Sequence, residues 1–194
     1  GNNGSFSAWT QMAGNVQSAV IQHIGEDGEL SWSGNVALSS NSSNFRISPR
    51  LVIAENSQEL IAVWNESNGS QSQRGIYAQR IDENGNRLWG FNGTAIVPLN
   101  NNYSYLDLSI AGIEEDMITV YIEQSVNMTG DIYATRINPN GDTVWTDDRV
   151  VITNSNNPKS DMMIGKGQDC IYISWSESGN IEHDKICSAT KGRH

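Results

Sequence analysis

"IYAQRIDENGNRLWGFNGTAIV", residues 76–97, decides how the rest of the chain is read. It alternates apolar and polar side chains, reaches an Asn-Gly pair, and resumes in a β-rich run. That order predicts a hairpin, because Asn-Gly supplies the positive φ that a tight turn between antiparallel strands requires. The same block ends in Trp89, and the block recurs. "DGELSW" closes on Trp32 and "NGDTVW" on Trp145, so the three tryptophans stand 57 and 56 residues apart.

A second series keeps the same period. It runs through Trp9 in "SFSAWTQ", Trp64 in "LIAVWNES", Tyr121 in "ITVYIEQ" and Trp175 in "YISWSES", at separations of 55, 57 and 54. Two interleaved series with one period define a structural repeat. Within one period, "SPRLVIAE", "LIAVWNES", "GIYAQRID" and "RLWGFNGTAIV" read as four short strands, the first opened by a proline. Four antiparallel strands per roughly 56 residues, with aromatics at fixed places, predict the blade of a β-propeller. The expected organisation is one all-β propeller region over 1–194: a partial blade 1–40, blades 41–98 and 99–153, and a partial blade 154–194. "GNNGSFSAW" matches the turn before "LIAVW", and "KICSATKGRH" falls in or after a third strand. The sequence therefore predicts part of a larger propeller, its ring completed by further residues or by a second copy.

The bulk composition agrees. Asn (22), Ser (23) and Gly (18) dominate the polar set, and these are the residues that turns use. Twelve Lys and Arg against 22 Asp and Glu leave a formal net charge of −10, which argues against nucleic acid and anionic membrane surfaces as partners. No apolar run is long enough to insert in a membrane. Seven N-x-S/T triplets, at Asn3, Asn41, Asn65, Asn68, Asn92, Asn102 and Asn127, point weakly toward secretion.

The motif of "SPRLVIAE", "IAVWNES", "IYAQRIDENGNRLWGFNGTAIV" and "IYATRINPNGDTVW" resembles a repeat of large secreted bacterial proteins, many of which carry a C-terminal sorting domain. The resemblance spans essentially the whole chain. It implies secretion or cell-surface display and a propeller. It implies no shared enzymatic activity and carries no functional residues to this sequence.

Candidate chemistry is sparse. A sialidase-type Asp-box would place its tryptophan three positions after the box glycine, where this chain has it four positions after (Gly85 to Trp89), and that box is itself a fold element. "DENGN" (82–86) and "NPNGD" (138–142) offer oxygen side chains to a structural calcium, yet turn chemistry explains them directly, so neither metal nor cofactor is expected. The recurring aromatics Trp9, Trp32, Trp64, Trp89, Tyr121, Trp145 and Trp175 read as packing. Arg80 and Arg136, with His23 in the first unit, share one repeat position and read as bridges between blades. The unrepeated Arg50, Phe91, Tyr103 and Tyr105 are the freer candidates for ligand contact. There are three histidines, no G-x-S-x-G and no H-E-x-x-H. Glu114, Glu115 and Asp116, like Asp147 and Asp148, read as solvated turns. Cys170 and Cys187 fall on adjacent predicted strands, as a cross-strand disulfide or as two buried thiols.

Three functions fit this reading. The first is a non-catalytic secreted or surface module that binds or scaffolds a glycan or protein. The second is a sialidase- or glycosidase-like hydrolase with its site in the propeller centre. The third is a structural spacer of a large adhesin.

Overall fold

A computed structural model describes residues 4–54 and 59–188, so Asn3 of the triplet set lies outside the described residues. All regular structure there is β: fourteen strands in four antiparallel sheets, none of which closes on itself. Among the described residues, no helix is long and apolar enough to cross a membrane. The chain divides into two compact units, Gly1–Asn101 and Asn102–His194.

In the first unit, one sheet holds β1 (Ser5–Ala13), β2 (Val16–Ile24) and β3 (Val36–Ala37). The second sheet holds β4 (Phe45–Ile53), β5 (Leu60–Ser67), β6 (Arg74–Ile81) and β7 (Thr94–Asn100). The second unit begins with a third sheet of β8 (Ser104–Ile113), β9 (Asp116–Gln124), β10 (Gly130–Ile137) and β11 (Val150–Thr153). Its fourth sheet holds β12 (Lys159–Lys166), β13 (Cys170–Glu177) and β14 (Asn180–Cys187). Every sheet is a meander, each strand bonded to its neighbours in sequence.

Central strands are apolar on both faces, as "LIAVW" in β5 shows by burying all five side chains. In the first unit, Ala19, Ile21 and Leu38 pack with Leu60, Ala62, Trp64 and Ile81. In the second, Ile118, Val120 and Ile122 pack with Ile171, Ile173 and Trp175. Each large side chain so buried stabilises its unit by about 2 kcal/mol. The opening strand β4 lies on β1 and β2, and β12 lies on β8.

The structure adds detail to the hairpin, the fourth strand and the opening strands. The Asn-Gly turn is a three-residue loop. Asp82 N–H donates to Asn86 O at 3.0 Å and Gly85 N–H to Asp82 O at 3.0 Å, with Gly85 at φ 83°. The same bonds close the loops at Asn138–Asp142 and Gly25–Glu29. The predicted fourth strand is also too long. Arg87 makes one isolated bridge to Ile81, residues 88–93 loop out, and pairing resumes only at Thr94. Gly90 (φ 74°) and Gly93 (φ 76°) allow that excursion. Trp89 therefore sits in a loop.

The opening strands are not regular. Each carries a bulge where the register slips, between Ile47 and Arg50, Leu106 and Ser109, and Ser160 and Met163. Each bulge holds one residue in left-handed backbone: Ser48, Asp107 or Asp161. Asp is among the few side chains that accept this conformation, because it bonds locally.

Candidate functional site: a groove between the first two sheets

The repeat residues account for most of the polar interior, and they do so structurally. Gln79, inside "IYAQR", is fully buried. Its Oε1 accepts from Arg80 N–H (3.1 Å) and Trp89 N–H (2.8 Å), while Nε2 donates to Gly90 O at 2.8 Å. Gln22 does the same work in the first sheet, donating from Nε2 to Trp32 O and accepting from His23 N–H. The recurring glutamine thus pins the tryptophan loop to the strand before it. Asp82 caps its own turn: Oδ1 accepts from Asn84 N–H and Asn86 N–H, and Oδ2 from Asn86 Nδ2. Partial burial works against its charge, but these hydrogen bonds from Asn86 and Asn84 outweigh it and hold the carboxyl below its ordinary value. Asn138 Oδ1 accepts the equivalent amides of Asn140 and Asp142. Oxygens expected to tempt a calcium ion are engaged by their own loops. Among the described residues, no group of three or more His, Cys, Asp or Glu is gathered as a metal site.

Sequence reading overlooked a buried carboxylate two residues after three of the second-series aromatics. Glu66 accepts from Trp64 Nε1 (2.8 Å) and Asn44 Nδ2 (2.7 Å). Glu177 accepts from Trp175 Nε1 (2.9 Å), Asn157 Nδ2 (3.1 Å) and Ser155 Oγ. Glu123 follows a tyrosine and takes the Arg149 guanidinium at 2.7 Å, which also lies 3.9 Å from the centre of the Tyr133 ring. The spacing aromatic-x-Glu in "WNE", "YIE" and "WSE" was the available signal. These glutamates anchor neighbouring loops, and they are structural.

One repeat position separates the first sheet from the others. Arg80 pairs with Glu59, and Arg136 with Asp116 (2.6 Å) and Glu114 (3.0 Å) while donating to Ser188 O. The β5 and β13 registers place Glu59, Asp116 and Cys170 at equivalent sites, each five residues before its aromatic. In the fourth sheet Cys170 lies directly opposite Cys187, Cα–Cα 3.9 Å, and the two form a disulfide. The stagger that the sequence left open does not occur. In the first sheet the equivalents are Gly4 and His23. A side chain on Gly4 would meet His23 Nε2 at 2.8 Å and Ile24 O at 2.3 Å, so no carboxylate fits there. His23 stacks on Phe6 at 4.4 Å, lies 6.0 Å from Trp32, and turns toward a groove.

That groove runs between the 25–37 segment and the 82–91 segment of the second sheet. Trp32 forms its floor and is 8% exposed, with Nε1–H donating to Glu83 O at 3.0 Å. Gly85 sits against the indole: an added Cβ would fall 3.2 Å from the ring and 3.0 Å from Val36. The glycine is therefore required twice, for its φ and for this close approach. Arg87 Nη1 donates to Ala37 O at 3.0 Å, and Ser40 N–H to Phe91 O at 2.9 Å, stitching the walls together. A cleft of about 900 Å³ is lined by His23, Glu26, Asp27, Glu29, Trp32 and Glu83 among others. A second cleft of about 530 Å³ shares Val36 with it and ends at Arg87 and Phe91. Carboxylates and amides line one stretch, and an aromatic ring that is 77% exposed stands at the other.

Of the unrepeated candidates, Phe91 alone lines this groove. Arg50 is exposed on β4, its Nη1 donating to Pro49 O. Tyr103 is partly exposed just before β8, whereas Tyr105 is 5% exposed and packs edge-on against Tyr121 at 5.9 Å. Tyr105 is thus part of the second unit's interior and does not present a ligand surface. Among the recurring aromatics, Trp9 and Trp89 are half-buried; Trp32, Trp64, Tyr121, Trp145 and Trp175 are buried.

No family model and no curated protein matches the chain. Its fold is similar to that of a solved polysaccharide lyase, Uly1, with a TM-score of 0.53 at 10% identity over 95% of this chain and 47% of that one. A weaker likeness, TM-score 0.49 at 11% identity over 94% of this chain and 47% of the other, links it to an exo-β-1,3-galactanase from Phanerochaete chrysosporium solved with β-1,3-galactotriose. The chain spans about half the length of each. At these identities the likeness to the lyase concerns the fold.

Proposed function

We propose that the four sheets are blades of a β-propeller in a secreted or cell-surface protein, and that the groove of the first unit binds a glycan. The observation that carries the reading is Phe91, a large apolar ring left 77% exposed at the mouth of a groove walled by carboxylates and amides. Carbohydrates offer that combination of partners: hydroxyls for polar walls and an apolar C–H face for an aromatic ring. The Cys170–Cys187 disulfide supports an oxidising compartment. The lyase-like fold and the resemblance to secreted repeats agree with it. Affinity electrophoresis through gels containing soluble polysaccharides tests the proposal. Retardation by at least one polysaccharide, weakened about tenfold by Phe91→Ala, is the expected result. Unchanged retardation in Phe91→Ala removes the groove from consideration.

A second reading rests on the bulges. Asp107 and Asp161 are exposed carboxylates in left-handed backbone on the packed strands β8 and β12, and Asp107 Oδ2 accepts from Met162 N–H at 3.2 Å. Two exposed carboxylates on neighbouring strands, each at a left-handed position, are the residue type that glycoside hydrolysis uses. Release of reducing ends from a bound polysaccharide, lost in both Asp107→Asn and Asp161→Asn, supports this reading; no release by the parent chain ends it.

A further inference from the structure

The larger cleft carries more information than its shape. Glu26, Asp27, Glu29 and Glu83 line it, no lysine or arginine does, and the whole chain is acidic at a net −10. Acidic side chains alone would be a solvated rim. The feature beyond them is His23. His23 is nine-tenths buried and lines the cleft, and its ring nitrogens have no hydrogen-bond partner among the described residues, whereas its backbone N–H donates to Gln22 Oε1 and its carbonyl accepts from Ser31 N–H. At the same repeat position Arg80 and Arg136 are closed off by carboxylates. The first sheet has replaced a paired guanidinium with an imidazole that has no carboxylate partner, and carboxylates line the cleft around it.

We infer that this cleft recognises a protonated amino group on a sugar, so that the preferred ligand is a glycan containing free amino-sugar units. The inference rests on the glycan reading above and deepens it. An ammonium offers three donors, which the His23 ring and the surrounding carboxylates can accept, beside the Trp32 indole that lines the cleft. N-acetylation removes the charge and adds bulk, so an acetylated sugar loses these contacts. A sugar is favoured over a lysine side chain because Phe91 and the amides of Asn84 and Asn86 continue the same groove beyond the carboxylates.

The test is calorimetric titration of the chain with a β-1,4-linked glucosamine hexasaccharide and with its fully N-acetylated counterpart. It is run at low salt and about pH 7, where the carboxylates are ionised. Binding of the free-amine oligomer about tenfold tighter than the acetylated one is expected. The triple variant Glu26→Gln, Glu29→Gln, Glu83→Gln brings the ratio near one. Equal affinities, or preference for the acetylated oligomer, overturn the amine assignment while Phe91-dependent binding keeps the glycan reading alive. Binding of neither oligomer, together with no retardation by any polysaccharide, overturns both. A hexalysine peptide that binds as tightly as the glucosamine oligomer, and equally well to Phe91→Ala, shows that the cleft reads charge alone and also overturns the assignment.

Discussion

The first and second sheets differ most informatively at one position. In the second sheet Arg80 is held by Glu59. In the first, Gly4 stands where Glu59 would be, His23 replaces the arginine, and the imidazole faces an open cleft. In the fourth sheet Cys170 stands where Glu59 does and bonds to Cys187, while Lys185 is exposed at the arginine position. Each sheet closes this end of its hairpin with an ion pair or a covalent bond, except the one that opens onto the groove. Function, on this view, is to be sought where a copy of the repeat departs from the others. The carboxylates Glu66, Glu123 and Glu177 show the converse. Their donors change from sheet to sheet, from indole to guanidinium, yet the oxygen atoms stay satisfied and buried, as a structural element must.

The sharpest way to break this division is to truncate two aromatics. Trp64 is fully buried and recurrent, whereas Phe91 is exposed and unrepeated. Trp64→Ala is expected to destabilise the protein by about 3–5 kcal/mol, and Phe91→Ala to leave stability within about 0.5 kcal/mol. Chemical denaturation measures both. A comparable loss in Phe91→Ala would make that ring architectural. The disulfide comes next: it closes a loop with a sequence separation of 17, and replacing both cysteines by alanine should cost about 3 kcal/mol. A cost near zero would mean that the fourth sheet does not need its closure.

Arg136→Gln should cost about 2 kcal/mol, since Asp116 and Ser188 O lose their donor in a largely buried setting. His23→Gln, at the same repeat position, should cost less than about 1 kcal/mol, because no hydrogen bond is lost. Equal costs in thermal melts would erase the contrast between closed and open copies. The smallest expected effect concerns pH. Hydrogen bonds from Ser155 first, then from Trp175 and Asn157, with the charge of Lys159, outweigh burial and hold the Glu177 carboxyl below its ordinary value. A depressed folded value adds stability that is complete above the unfolded glutamate value, about pH 4.3, and is lost as pH falls toward the folded one. Glu177→Gln should flatten the decline of stability below that pH. An unaltered slope would mean that Glu177 is not titrating in that range.

The sequence alone determined whatever depends on near neighbours in the chain. Asn-Gly and Asp-Gly loops, apolar strands of five to nine residues and aromatics at a common period are local signals, and they were enough for an all-β chain of antiparallel meanders. Even the anchoring glutamates were legible in principle, from the aromatic-x-Glu spacing. Tertiary structure decided the rest, because it depends on which atoms from distant segments meet. The bulges at Ser48, Asp107 and Asp161 arise where an opening strand packs on another sheet, and no residue pattern announces them. Tyr105 looked free because it is unrepeated, yet it is buried against Tyr121. His23 looked like a weak copy of an arginine, and only the approach of Gly4 to its ring shows why it has no carboxylate partner. A repeat specifies the backbone of every copy alike; whether a given position is sealed or open is settled by contacts across the sheets.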